Sequence, residues 1–201
     1  MTTPLSFEAH QTAVLAMDCQ SGIVSIYAKP DDDLIARAAE TLKSARIAGM
    51  SVVHVQAGFR AGLPEVSGRN KLFATLKSSS QHQKLFEGTA GRIHPALGPE
   101  PTDIVVTKHR VSAFRGTDLD MILRANEITT LVLFGIATSG VVLATLLEAS
   151  DRDFRLVVIA DCCADLDPDL HTWLIERLFP KHAVVITATD FARLASLVRR
   201  P

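Results

Sequence analysis

The sequence predicts an α/β fold: a three-layer sandwich built on a six-stranded, mainly parallel sheet. Three observations carry that expectation. Six short apolar runs are rich in β-branched residues, segments with helical periodicity lie between them, and the two kinds of segment alternate along the chain.

The first run is Thr12 to Met17 (TAVLAM), continuously apolar as a strand covered on both faces must be. Asp33 to Ala48 follows, a helix with Leu34, Ala38, Leu42 and Ala45 on one stripe and Arg37, Lys43 and Arg46 turned to water. Gly49 is its stop, and Ser51 to Val55 (SVVHV) begins the second strand at once. Gly58 to Gly91 breaks the rhythm with glycines, a proline and a Ser-Ser-Ser run, and only Asn70 to Lys77 reads as helix. A segment this long with no second core after it reads as an active-site cover.

The alternation then resumes. Asp103 to Thr107 (DIVVT) is the third strand, and Thr117 to Ala125 the next helix, with Thr117 as N-cap and Asp118 and Asp120 at the positive end of its dipole. Thr130 to Phe134 (TLVLF), a helix over Ser139 to Ser150, Leu156 to Ala160 (LVVIA), a helix over His171 to Leu178 and Ala183 to Thr187 (AVVIT) complete the set. Right-handed crossovers join such strands into one sheet, so residues 1–201 are read as a single domain.

Composition narrows the function. Hydrophobic residues make up 47% of the 201 and charged residues 21%, the balance of a globular protein. Lys and Arg number 21 against 22 Asp and Glu, so the basic excess that marks a nucleic-acid binder is missing. No apolar run approaches the ~20 residues that cross a bilayer, and no membrane partner is expected. The N-terminal MTTPLSFEAHQ lacks the basic-then-apolar order of a signal peptide. Cys19, Cys162 and Cys163 are odd in number and two are adjacent, which suggests no disulfide framework and a reducing, cytoplasmic setting.

In open α/β sheets ligands gather at the carboxyl ends of the strands. Asp18 and Gln20 stand there after the first run, Gln56 after the second, Lys108, His109 and Arg110 after the third, and Asp161 after the fifth. The fourth ends in the tight turn Gly135-Ile136-Ala137-Thr138-Ser139-Gly140, which opens a helix. Taken singly, each has an ordinary structural reading: an Asp capping a turn, a lysine in water, Thr138 and Ser139 as helix caps. The turn matches neither GxGxxG nor a Walker loop, so phosphate binding is not indicated. Together they place an acid and a lysine beside a strand-to-helix turn whose amides face the same opening.

The order of these pieces resembles the isochorismatase-like hydrolases, or cysteine hydrolases, from about Thr12 to Phe191. Three blocks carry the resemblance: Val14 to Gln20 (VLAMDCQ), Val106 to Leu119 (VTKHRVSAFRGTDL) and Leu133 to Thr145 (LFGIATSGVVLAT), with Asp161 and His171 trailing. It implies a Rossmann-like fold and a catalytic set in which Asp18 is general acid or base and Lys108 its electrostatic partner. The family's nucleophilic cysteine falls on Val141, which has no lone pair and closes the thioester route. The resemblance also implies an oxyanion hole from the amides of Ala137 and Val141 and a cis peptide between Ile136 and Ala137. Gln20 and Gln56 are candidate substrate contacts, and so is Phe114, for which ordinary packing accounts equally well.

Nicotinamidases of this family hold a metal through two side chains that fall here on Ala57 and Phe59, neither of which can ligate. No metal and no cofactor are therefore expected. The isochorismatases proper also lack the cysteine and hydrolyse a vinyl ether by protonating it from the Asp, although Val141 fills space that glycine leaves open in them. Two readings remain: a cysteine-independent hydrolase of a small molecule, or a catalytically silent member that binds small carboxylates or serves as a scaffold. By the same resemblance the chain is expected to form a homodimer or homotetramer. Arg110 and Arg115 could pair with an anionic substrate, but are read first as surface or subunit-interface charges, and His54 and Trp173 as packing residues.

Overall fold

The computed structural model describes residues 5–27 and 33–198. Six strands form one sheet in the order β3-β2-β1-β4-β5-β6: β1 (Thr12–Met17), β2 (Ser51–Ala57), β3 (Ile104–Lys108), β4 (Thr130–Ile136), β5 (Arg155–Ala164) and β6 (Val184–Ile186). Every strand pair is parallel. β1 and β4 are buried at every position, as a central strand covered on both faces requires.

Each helix forms for a local reason. α2 (Leu34–Ala48) buries Leu34, Ala38, Thr41, Leu42, Ala45 and Ala48 and ends where Gly49 turns left-handed at φ 79°. α3 (Lys71–Ser78) starts at Asn70, whose side chain accepts from the Phe73 amide, and α4 (Ser80–Lys84) starts at Ser79, which accepts from His82. α5 (Leu119–Ala125) begins two residues later than the sequence suggests, because the Thr117 hydroxyl turns back to the Ala113 carbonyl at 2.7 Å. α6 (Leu143–Ser150) follows β4, and α7 (Pro168–Trp173) follows β5. Two further helices, α1 (Ser21–Tyr27) and α8 (Ala188–Ser196), went unread in the sequence, as did α4. α8 packs against α2 and buries Phe191 in the main core.

Two departures at the strand ends affect the site. β5 does not stop at Ala160; its register with β4 shifts between Leu133 and Gly135, and the irregular stretch carries Asp161. β4 runs on to Ile136 through Gly135, which lies at φ 149° against Met17 of β1. A Cβ at Gly135 would collide with the Met17 carbonyl, so only glycine lets β4 come this close to the end of β1.

The strand order reverses direction between β1 and β4. From β1 the chain moves outward to β2 and β3, and from β4 outward to β5 and β6. Right-handed crossovers in opposite directions put their helices on opposite faces and leave a crevice at the carboxyl ends of β1 and β4.

Candidate active site

Asp18 is the first residue past β1. It lies at φ 55°, a left-handed conformation that Asp tolerates better than branched residues, while its amide donates to the Val55 carbonyl at 2.7 Å. Lys108 ends β3, two strands away, and its long side chain crosses over β2 to bring Nζ to 2.8 Å from Asp18 Oδ2. The ammonium also donates to the Arg110 carbonyl at 3.1 Å. Both side chains are buried, at 7% and 4% residue exposure, and Asp18 Oδ1 has no hydrogen-bond partner among the described residues. Burial pushes the Asp18 carboxyl above its usual value, and the Lys108 ammonium opposes that shift without cancelling it.

The turn after β4 supplies the facing wall. The Ile136–Ala137 peptide is cis, and Thr138–Val142 form a wide helical turn in which Gly140 takes φ −100° and ψ −105° before α6 begins. The Ala137 carbonyl accepts from the amides of Gly140 (3.1 Å) and Val142 (3.3 Å). Two groups from beyond β5 brace this turn. Asp165 Oδ2 accepts the Ser139 amide at 2.7 Å, and the Thr138 hydroxyl meets His171 Nδ1 at 2.8 Å. Burial holds the His171 ring below its ordinary pKa, against the pull of the Asp165 charge. Neither Thr138 nor Ser139 caps α6 with its side chain.

Asp18, Lys108, Ala137 and Val141 line one open cavity of about 440 Å³. That volume lies within the ~300–1,000 Å³ of small-molecule sites. The segment after β2 supplies much of the remaining wall, including Phe59, Phe73 and Phe86. Phe59 meets Phe73 at 6.1 Å and Phe86 at 5.3 Å, edge to face in both pairs. α1 closes another side, with Ile23 and Val24 packed beside Ile136 and Tyr27 reaching the cavity.

The structure places other sequence-predicted residues elsewhere. Gln20 is buried with its side chain bound to main chain: Nε2 donates to the carbonyls of Ala57 and Gly91, and Oε1 accepts from the Ala57 amide. It ties β2 to the segment at Gly91 and offers the cavity nothing. Gln56 alternates away from the cavity that its neighbour Ala57 lines, and donates to the Thr107 hydroxyl. Phe114 stacks on Phe154 under the Arg152 guanidinium, inside the core. Asp161 accepts the Ala188 amide at the start of α8 and pairs with Arg37, so the partner of His171 in this region is Thr138. Trp173 does not enter the core; it is 54% exposed.

Other residues around the site gave a weaker signal. Arg110, first read as a surface or interface charge, lines the cavity with its guanidinium 5.6 Å from the Phe73 ring centroid. Asp165 gave no signal, because its partner Ser139 is 26 residues away in the chain. His54 packs in the core as expected, with Nε2 3.1 Å from Asp103 Oδ2 in a cluster with Arg46. Ala57 and Phe59 line the cavity with hydrocarbon. All three cysteines are buried and none lines the cavity. Burial pushes each thiol up, Cys162 to about 12, so none is a thiolate at neutral pH.

The chain is similar to known proteins over nearly its whole length. The isochorismatase domain matches residues 12–190. The ureidoacrylate amidohydrolase RutB of Methylorubrum extorquens is 32% identical over 184 residues, covering 82% of this chain and 74% of its own. The uncharacterized isochorismatase family protein YecD of Escherichia coli O157:H7 is also 32% identical over 184 residues, covering 90% of this chain and 94% of its own. Among solved structures, an isochorismatase family protein from Burkholderia thailandensis superposes with a TM-score of 0.80 at 30% identity, over 95% of this chain and 98% of that one. The matched residues take in every strand of the sheet and the whole cavity floor, and the chain belongs to the isochorismatase family of hydrolases.

Proposed function

We propose that this protein hydrolyses a small organic molecule without a covalent intermediate, using Asp18 as proton carrier and Lys108 as its electrostatic partner. In this reading the water oxygen bonds to the electrophilic carbon and its proton passes to Asp18. Asp18 then protonates the leaving atom as the bond to it breaks. The net change is one water added across one bond. The amides of Ala137 and Val141 receive the charge that develops on the substrate.

One observation carries the proposal: the buried Asp18–Lys108 pair, 2.8 Å apart, at the wall of an open cavity. An upward shift makes the Asp18 carboxylate a stronger acceptor for the water proton than a free one, and the acid so formed returns that proton to the leaving atom. Val141 stands where the resemblance puts the attacking cysteine, and the three real thiols are buried away from the cavity. A general acid–base route needs none of them. The amidohydrolase activity in the name of the Methylorubrum relative makes carbon–nitrogen bonds the first to try.

The test is turnover of a panel of amides, ureido acids, nitriles and vinyl ethers by wild type and Asp18→Asn. Hydrolysis of at least one member, reduced about 10²–10⁴-fold in Asp18→Asn, supports the reading. Binding without turnover across the panel, or turnover indifferent to the substitution, overturns it.

A further inference from the structure

The cavity holds two cations, and they are not equivalent. Lys108 spends its charge on Asp18 at 2.8 Å. Arg110, two residues on, is half-buried in the same wall and pairs with no carboxylate among the described residues. Two of its donors are committed: Nη1 to the His109 carbonyl and Nη2 to the Glu65 carbonyl at 3.1 Å. Those bonds fix the plane of the guanidinium, and a guanidinium has five N–H donors in all. A partly desolvated cation, fixed in place with donors to spare, is suited to an anion that arrives from outside.

The wall around it is apolar. Phe59, Phe73 and Phe86 form a chain of ring contacts, and Arg110 stands over the Phe73 ring at 5.6 Å. Leu72 and Ile26 line the same cavity while 61% and 44% exposed, so the protein itself leaves this surface uncovered. A cavity with apolar walls and one fixed charge orients a ligand that has a flat hydrocarbon body and one anionic end.

We propose that the cavity selects an aromatic carboxylate, whose carboxylate pairs with Arg110 and whose ring lies against Phe59, Phe73 and Phe86. This rests on the hydrolase reading for the fate of the ligand, but recognition is separable from turnover. The hydrolysable bond of the substrate then lies beside Asp18, Lys108 and Ala137, with the carboxylate at a distance from the reacting atoms. Arg110 is a specificity-determining residue, and the segment after β2 supplies the selective surface.

Isothermal titration with 3-phenylpropanoate, its uncharged amide 3-phenylpropanamide, and hexanoate tests this directly. Wild type is expected to bind the phenyl acid about tenfold or more tightly than the amide or the aliphatic acid. Arg110→Gln removes the preference for acid over amide, Arg110→Lys keeps part of it, and Phe73→Ala removes the preference for phenyl over alkyl. Equal binding of acid and amide by wild type overturns the proposal without any variant having to fold. So does undiminished acid binding in folded Arg110→Gln, which assigns the anion to Lys108. The titration reads recognition in wild type and the Arg110 and Phe73 variants, whose Asp18 is intact, and the turnover panel reads catalysis separately. A failure of catalysis is thereby told apart from a failure of recognition.

Discussion

Lys108 Nζ lies 2.8 Å from Asp18 Oδ2, although the two residues come from β3 and β1 and the whole of β2 lies between them. Both groups have left water, and a buried pair broken on one side costs about 3–5 kcal/mol, because the remaining charge is stranded. Lys108→Met is therefore expected to lower unfolding stability by about that amount in urea melts at neutral pH. Lys108→Met with Asp18→Leu should recover a large part of the loss, since replacing both charges leaves nothing stranded. Additive losses in the double variant contradict a coupled pair.

Val141 tests the geometry of the turn. A thiol introduced by Val141→Cys lines the cavity beside the Ala137 wall, whereas Cys19, Cys162 and Cys163 lie outside the cavity lining. Treatment with iodoacetamide under native conditions, followed by peptide mass mapping, should label position 141 in the variant and leave wild type unlabelled. A folded variant that resists labelling contradicts an open cavity at this residue.

Stability should fall on mild acidification. Burial lowers the His54 pKa below the ordinary 6.5 of histidine, and Arg46 adds to that against the pull of Asp103. The folded state then binds fewer protons than the unfolded one between the two pKa values, so stability rises with pH across that window and is lost as pH falls below about 6.5. His54→Gln keeps a donor for Asp103 and removes the titration. Its denaturation midpoint should fall less steeply than that of wild type between pH 7 and pH 5. Parallel curves for the two proteins contradict the assignment.

Gly135→Ala is expected to destabilise the protein by about 2–4 kcal/mol, because a Cβ there meets the Met17 carbonyl and the residue lies at φ 149°. Gly116→Ala is the control. It shares a positive φ of 72° but has open space around its Cβ position, and should cost about 1 kcal/mol. Equal losses in urea melts contradict the close approach of β4 to β1.

The sheet was legible in the sequence because parallel strands buried on both faces are written as unbroken apolar runs, and β1 matches its run end to end. β5 was cut short because Asp161 looks like a strand end when it lies in a register shift. Asp18 and Lys108 were legible as polar residues at the ends of strands. Gln20 and Gln56 shared that property and went elsewhere, because position at a strand end does not say whether an amide side chain is already bound to main chain. Phe59, Phe73 and Phe86 left no periodic signal, since they gather from a loop and a short helix. Arg110 was legible only as a choice between a surface charge and an anion partner, because its cavity contact depends on where that loop folds.

One side-by-side kinetic comparison decides whether Asp18 or a thiol carries the reaction. It sets a variant with Cys19, Cys162 and Cys163 all changed to Ala against Asp18→Asn, on a substrate that wild type hydrolyses. The cysteine-free protein is expected to keep kcat/KM within a few-fold of wild type, while Asp18→Asn falls by about 10²–10⁴-fold. A cysteine-free protein that is folded but inactive, or an Asp18→Asn protein of wild-type activity, contradicts that expectation.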